Sequence, residues 1–195
     1  MDSKRALDIV VGCLALAIAV PILVGILLAM RLTGDRGPFL YRATRVGEGG
    51  ANITVLKVRT MAAGSGGAGI TGHRDARVTP LGRILRRYRL DELPQLLNVV
   101  RGEMSLVGPR PEDPQFVDWS DSVHRRVFTA KPGITGLAQL DFHDEALRLS
   151  GPDVEERYRR EILPAKLRLD IEYLDHRSML LDVRILGRTI WTILR

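Results

Sequence analysis

Cysteine is almost missing from this 195-residue chain, and the single Cys13 excludes a disulfide-stapled scaffold and a Cys-rich zinc module. Aromatic side chains make up only 5% of the residues, few for a surface that stacks on nucleobases. The histidines His73, His124, His143 and His176 are scattered without metal-ligand spacing, which leaves them as structural or surface residues. There is no Walker-type loop. Ser65 and Ser105 lack the surroundings of a hydrolase nucleophile. No acidic surplus exists either: 29 Lys and Arg against 23 Asp and Glu leave a net charge of +6. That excess favours an anionic partner, whether nucleic acid, anionic lipid or a phosphorylated substrate. With 45% apolar residues the chain is long enough for one domain with a real core, and it contains no internal repeat or interdomain linker.

The apolar residues concentrate at the start. Ile9 to Met30 runs 22 residues without a charge, about 33 Å as one straight helix and so enough to cross a hydrocarbon core. The run is longer than the apolar region of a signal peptide and leads into no convincing cleavage site, so it reads as a retained membrane anchor. Pro21 divides it into twelve residues and nine, and neither part crosses alone. Proline lacks an amide hydrogen and collides with the preceding turn, which predicts a kink between Ala17 and Pro21. Lys4 and Arg5 precede the run, while Arg31, Arg36, Arg42 and Arg45 follow it. Cations favour the cytoplasmic side, and both flanks carry them. A bent hairpin that enters and leaves by one face satisfies both flanks; a kinked single span is the alternative.

Beyond Met30 the chain is polar and punctuated. Strand-like runs lie around Phe39–Tyr41 and Ile53–Arg59, separated by the turn-rich Gly47-Glu48-Gly49-Gly50. Ala62 to Gly72 is low-complexity and reads as a slack surface loop or a lid. Leu81 to Tyr88 and Leu93 to Val100 have helical spacing. Asp113 to Phe128 has room for a short helix, and Lys131-Pro132-Gly133 with Gly136 punctuates a strand or turn. Glu155 to Leu174, interrupted at Pro164, and Leu181 to Leu194 read as helices. The last is basic and amphipathic and carries Trp191, which suits either a membrane interface or packing on the core. The expected architecture is α/β: a mainly helical small globule with short strands, preceded by an N-terminal re-entrant membrane helix-break-helix. Its boundaries are 1–34 for the anchor and 35–195 for a cytoplasmic catalytic domain that includes interfacial amphipathic helices.

Chemistry concentrates between Arg83 and Pro111. Asp91 and Glu92 stand side by side before an apolar helical stretch, where Asp91 suits an N-cap and Glu92 the first turn. Arg83, Arg86, Arg87 and Arg89 crowd the residues before them and repel one another unless an anion is present. A carboxylate pair among guanidinium groups is also the layout that phosphoryl transfer needs. One carboxylate attacks phosphorus and the other holds a divalent metal; Mg²⁺ takes only one or two protein carboxylates. Gly108-Pro109-Arg110-Pro111 is a stiff turn that limits the freedom of Arg110.

Taken together the residues closely resemble the bacterial sugar transferases, the small monotopic phosphoglycosyl transferases. The matching blocks include Arg45-Val46-Gly47, Lys57-Val58-Arg59-Thr60-Met61 and Asp75-Ala76-Arg77-Val78-Thr79. They continue through Leu90-Asp91-Glu92-Leu93-Pro94-Gln95-Leu96, Met104 to Pro111, Lys131 to Gln139, and Asp170 with Tyr173. The resemblance implies transfer of a sugar-1-phosphate from a UDP-sugar to polyprenyl phosphate, the first membrane step of glycoconjugate assembly. By that analogy Asp91 attacks the phosphorus next to the sugar, expels UMP and carries a covalent phosphosugar. Glu92 would bind Mg²⁺. Lys57, Arg59, Arg86, Pro109, Arg110, Pro111 and Gln139 would bind substrate or phosphate, and Pro21 would break the membrane hairpin. The same resemblance implies a monotopic protein of the bacterial inner membrane with its catalytic domain facing the cytoplasm. It also implies contact with anionic lipids and no role for nucleic acid, and it leaves a homodimer open. Val20, Ala43, Tyr88 and Arg89 depart from the usual pattern. Two rival readings stand beside this one: a membrane-anchored binding protein whose arginines form a lipid or nucleic-acid patch, and a one-step transferase using Asp91 only as a metal ligand.

Overall fold

A computed structural model describes residues 3–65, 75–145, 149 and 153–195. His73 and most of the low-complexity stretch lie outside the described residues.

Helix α1 (Ser3–Leu32) takes up the whole apolar run. Its buried residues, Asp8, Gly12, Ala19, Ile26 and Met30, recur at spacings of four and seven and so form one stripe along the helix. That stripe passes Pro21 without a break, and both halves pack on the same globule: Ala19 joins the core around Leu96 and Val99, Ile26 and Met30 that around Val58 and Leu85. The expected division at Pro21 is therefore not seen as two elements; the run is one helix with proline inside it. The other face exposes Val10, Leu14, Ile18, Val24 and Leu28. An apolar helix face left open in this way suits lipid better than water.

Polar bonds fasten the first turns of α1. Lys4 donates to the Val107 carbonyl (3.0 Å) and pairs with Asp182 (2.6 Å), while Asp8 accepts from the Leu106 amide (2.9 Å) and the Ser105 hydroxyl (3.1 Å). Arg5 donates to the carbonyls of Val99 (2.6 Å) and Val100 (2.8 Å) near the end of α3.

The globule follows. Strands β1 (Leu40–Val46) and β2 (Asn52–Val58) form an antiparallel hairpin in which Leu40 faces Val58 and Val46 faces Asn52. Gly49 and Gly50, both with positive φ, allow the chain to reverse between them. Helix α2 (Pro80–Arg87) is capped by the Thr79 hydroxyl, which accepts from the Gly82 amide. Helix α3 (Gln95–Arg101) stops at Gly102. Two short parallel strands, β3 (Ser105–Val107) and β4 (Gly133–Thr135), flank α4 (Ser122–Val127) in sequence. After α5 (Leu137–Asp141), the short α6 (Val154–Arg157) runs into a wider π-helical turn at Tyr158–Ile162. The chain then continues as α7 (Leu163–His176), with Pro164 in its first turn, and closes with α8 (Met179–Leu194).

Asn98, fully buried on α3, ties that helix to the hairpin. Its Oδ1 accepts from the Leu56 amide (3.1 Å), and its Nδ2 donates to the Thr54 carbonyl (2.8 Å) and to Glu103 (2.5 Å). This clamp fixes the segment of β2 that carries Lys57.

Candidate active site

A cavity of about 960 Å³ lies where β2, the end of α2, the start of α3 and the loop after β3 converge. Its chemistry is set by the turn that follows α2. Arg89 adopts a left-handed conformation (φ 52°, ψ 22°), uncommon for a residue with a side chain. That reversal leads Leu90, Asp91 and Glu92 into a single 3-10 turn ahead of α3. Asp91 and Glu92 consequently line the cavity, and α3 begins after Pro94 with no side-chain cap. The N-cap role that spacing alone suggested for Asp91 is not filled.

The two neighbours differ in charge state. Burial pushes the Glu92 carboxyl upward, but the opposing charges of Lys57, Arg110 and Arg89 outweigh it and hold the group at about 2. Lys57 Nζ lies 2.9 Å from Glu92 Oε1, and Arg89 Nη1 lies 3.7 Å from Oε2. Asp91 goes the other way. Burial and the negative charge of Glu92 raise it above the usual carboxylate range, with Lys57 and Arg86 opposing them.

Arginines complete the lining. Burial draws the Arg86 guanidinium down, while Asp91 and Asp75 oppose it; its Nε donates to the Thr60 hydroxyl (2.8 Å). Arg110 extends from the Gly108–Pro111 turn, which sits tightly on β4. The Gly133 amide donates to the Pro109 carbonyl (2.8 Å), and a Cβ on Gly133 would come within 2.1 Å of the Gly108 nitrogen. No larger residue fits there. Burial opposes the charge of Arg110, but Glu145, Glu92 and Glu112 outweigh it and keep the group firmly protonated. Among the described residues nothing hydrogen-bonds or ion-pairs directly with its guanidinium. An unengaged guanidinium at a cavity wall is ready for phosphate oxygens, which it grips two at a time.

The family model for bacterial sugar transferases matches residues 2–195. The chain belongs to that family. It is 41% identical over 196 residues to the UDP-glucose:undecaprenyl-phosphate glucose-1-phosphate transferase of Caulobacter vibrioides, an alignment covering 98% of this chain and 69% of the relative. It is 34% identical to the UDP-N-acetylgalactosamine-undecaprenyl-phosphate N-acetylgalactosaminephosphotransferase of Aeromonas hydrophila, covering 98% of this chain and 43% of that one. To the exopolysaccharide production protein PSS of Rhizobium leguminosarum bv. phaseoli it is 35% identical, covering 96% of this chain and 92% of the relative. The chain thus spans less than half of one transferase and nearly all of another protein.

Against this background the anticipated residues divide into three groups. Lys57, Arg86, Asp91, Glu92, Arg110, Pro111 and Gln139 all line the cavity of this sugar transferase, and Pro109 shapes the turn behind it. Arg59 also lines the cavity, yet it is committed elsewhere: it donates to the carbonyls of Pro38 (2.7 Å) and Met61 (2.6 Å) and pairs with Asp35 (2.5 Å). Its main work is to tie the segment after α1 to β2. Pro21 is remote, on α1.

Four further residues were not foreseen. Glu112, Glu145, Tyr158 and Lys166 line the same cavity. Tyr158 donates to Glu112 (2.6 Å), and Lys166 Nζ lies 2.5 Å from Glu145 and 3.2 Å from the Tyr158 hydroxyl. Tyr158, Lys166 and Asp170 stand at intervals of eight and four along one helical stripe, a polar signal inside an otherwise apolar pattern that could have exposed Tyr158 and Lys166.

No group of three or more His, Cys, Asp or Glu that could hold a metal ion occurs among the described residues. Mg²⁺ does not require one, since it completes its shell with water and phosphate oxygens. A carboxylate held ionised at the cavity wall, with a second beside it, is a donor set that fits this ion.

Proposed function

We propose that this protein transfers a sugar-1-phosphate from a UDP-sugar to polyprenyl phosphate through a covalent intermediate on Asp91. The observation that carries the reading is the Arg89 turn, which presents Asp91 beside an ionised Glu92 to a cavity walled by Lys57, Arg86 and the unengaged Arg110. An Asp91 carboxylate oxygen bonds to the phosphorus next to the sugar. The bond from that phosphorus to the bridging oxygen breaks, and UMP leaves with the electron pair. A phosphate oxygen of the polyprenyl acceptor then attacks the same phosphorus and displaces Asp91, giving a polyprenyl diphosphate sugar. Neither half-reaction brings the two anionic substrates together. Lys57, Arg86 and Arg110 offset the charge that spreads over the phosphoryl oxygens. Glu92 would hold Mg²⁺, which supplies Lewis-acid neutralisation of phosphate charge when bound.

The anchor fits a lipid-borne acceptor. Lys4, Arg5 and Asp8 at one end of α1 and Met30 at the other all contact one globule, which favours both ends of the helix on one side of a bilayer. These contacts support a monotopic arrangement in which α1 lies in one leaflet with its exposed apolar face toward lipid. The exposed Leu180, Val183, Ile190 and Trp191 of α8 offer a second interfacial face. Anionic lipids, and the cytoplasmic face of the bacterial inner membrane, suit the basic flanks.

Incubation with UDP-sugars and Mg²⁺ but no acceptor should release UMP and add the mass of a phosphosugar to Asp91. A reaction that needs the acceptor and leaves no adduct points to one-step transfer. No nucleotide release from any donor supports a binding module. For the anchor, Asp2→Cys and Gly34→Cys on a Cys13→Ala background should both react with thiol reagents from the cytoplasmic side alone.

A further inference from the structure

The cavity is divided by charge. Around Asp91 its walls are dominated by cations, whereas on the far side of Arg110 they are formed by Glu112, Glu145, Tyr158 and Lys166. This second wall is deep: Tyr158 is 3% exposed and Lys166 2%. It also carries hydrogen-bond acceptors that nothing fills. Glu145 meets Lys166 through Oε2, and among the described residues its Oε1 has no partner. Gln139, only 4% exposed and lining the same cavity, leaves its Oε1 without a hydrogen bond. Buried acceptors are ordinarily satisfied, so the one on Gln139 calls for a donor from a ligand, and Glu145, its side chain 23% exposed, presents its second carboxylate oxygen on the same wall. Carboxylates repel phosphate, and an isoprenoid tail has no donors to offer. Hydroxyl groups fit.

We infer that this wall is the subsite for the donor's sugar, with Glu145 Oε1 and Gln139 Oε1 accepting hydrogen bonds from the hydroxyls of an uncharged hexose ring. The inference rests on the two-step reading. In that scheme UMP and the acceptor phosphate occupy the same side of the phosphorus in turn, so their place must stay open to exchange. The sugar remains through both half-reactions and belongs in the buried part. Phe142, from the turn between Gln139 and Glu145, also lines the cavity.

Ribose hydroxyls share this chemistry, and the test separates the two sources. The full chain in detergent is assayed for UMP release with UDP-glucose, UDP-galactose and their N-acetylamino counterparts. The best donor is then compared with its deoxyfluoro analogues, one hydroxyl at a time. Hydrogen bonds to charged acceptors are worth on the order of tenfold to a hundredfold, so kcat/KM should fall by that factor at one or more positions. In Glu145→Gln the same replacement should cost less than about threefold, as expected when the two changes remove one interaction. Inhibition by UMP should move by less than about twofold, which also reports a folded site. Gln139→Leu, read in the same way, should erase discrimination at the same or a neighbouring hydroxyl. The inference is overturned if both variants slow every donor alike while keeping the wild-type ratios. It is equally overturned if they weaken UMP as much as the donor, which would place ribose on this wall. Failure of every donor to release UMP would instead bring down the transferase reading itself.

Discussion

At the root of α1 and in the cavity around Asp91, charged side chains leave water under different terms. Lys4 meets Asp182, which also accepts from the Tyr173 hydroxyl (2.8 Å); Asp8 accepts from a backbone amide and a hydroxyl; Arg5 donates to two carbonyls. Charge there is matched by geometry, and the groups act as fasteners. In the cavity Asp91 is pushed up by burial and its neighbour Glu92, Arg110 has no direct partner among the described residues, and Gln139 leaves an acceptor open. Buried polar groups that satisfy one another hold a fold together, while those left in conflict await something the protein does not contain.

Substitutions should therefore act with opposite signs in the two places. The largest effect is expected from Asp91→Asn, which should lower UMP release by about ten-thousandfold or more, as for other removed nucleophiles. It should also stabilise the protein. Because Asp91 is raised in the folded state, its ionised form disfavours folding, and stability is lost as pH rises through the folded-state value. The amide carries no such charge, so Tm should rise by on the order of 2–4 °C, more at pH 8 than at pH 4. A variant that lost activity and stability together would erase the contrast between the regions.

Lys4→Met should do the reverse. It takes the cation from Asp182, 2% exposed, which keeps the Tyr173 hydroxyl; with the Lys4 side chain 31% exposed, the cost should fall below the roughly 3–5 kcal/mol of a fully buried pair, to about 1–3 kcal/mol. Thermal or denaturant unfolding should register the loss, while KM for the sugar nucleotide stays within about twofold because no cavity group moves. Arg110→Lys probes the other region more gently. With no direct protein partner to lose, Tm should stay within about 1 °C, yet KM for the donor should rise about tenfold because an ammonium cannot grip two phosphate oxygens at once.

The same contrast explains what could be read without coordinates. The Asp91–Glu92 pair, the arginines before it, the hairpin around Gly47–Gly50 and the helices at Pro80–Arg87 and Gln95–Arg101 follow local spacing and neighbouring turn residues. All of these are short-range signals. Asp91 as an N-cap was the natural local reading, and it failed because Arg89 turns left-handed, which spacing cannot reveal. The wall of Glu112, Glu145, Tyr158 and Lys166 left only the Tyr158–Lys166–Asp170 spacing as a trace, for a different reason. Glu112 and Tyr158 stand 46 positions apart, and the π-helical turn at Tyr158–Ile162 shifts the helical phase that a regular period assumes. Lys4 and Asp182, 178 positions apart, were likewise out of reach of any local pattern. Pro21 predicted a bend, but whether a proline separates two helices depends on what packs around it. Here one stripe of α1 crosses it and packs on the globule on either side.

The smallest effect tests the cavity's internal conflict directly. The acid limb of kcat/KM reports ionisation in the free enzyme, and the nucleophile must be deprotonated to attack. With Asp91 raised, that limb should lie above the ordinary carboxylate range. Glu92 is one cause of the elevation and Lys57 opposes it, so their replacements should displace the limb in opposite directions. Glu92→Gln removes a like charge and should move it toward lower pH; Lys57→Met removes an attraction and should move it toward higher pH. Each displacement should be on the order of half to one pH unit, read at whatever residual rate the variant retains. A limb that stays fixed in both variants would mean that the titrating group is not Asp91. Movement in the same direction would mean that the two side chains act through a shared structural change, and the electrostatic account of the turn would have to be abandoned.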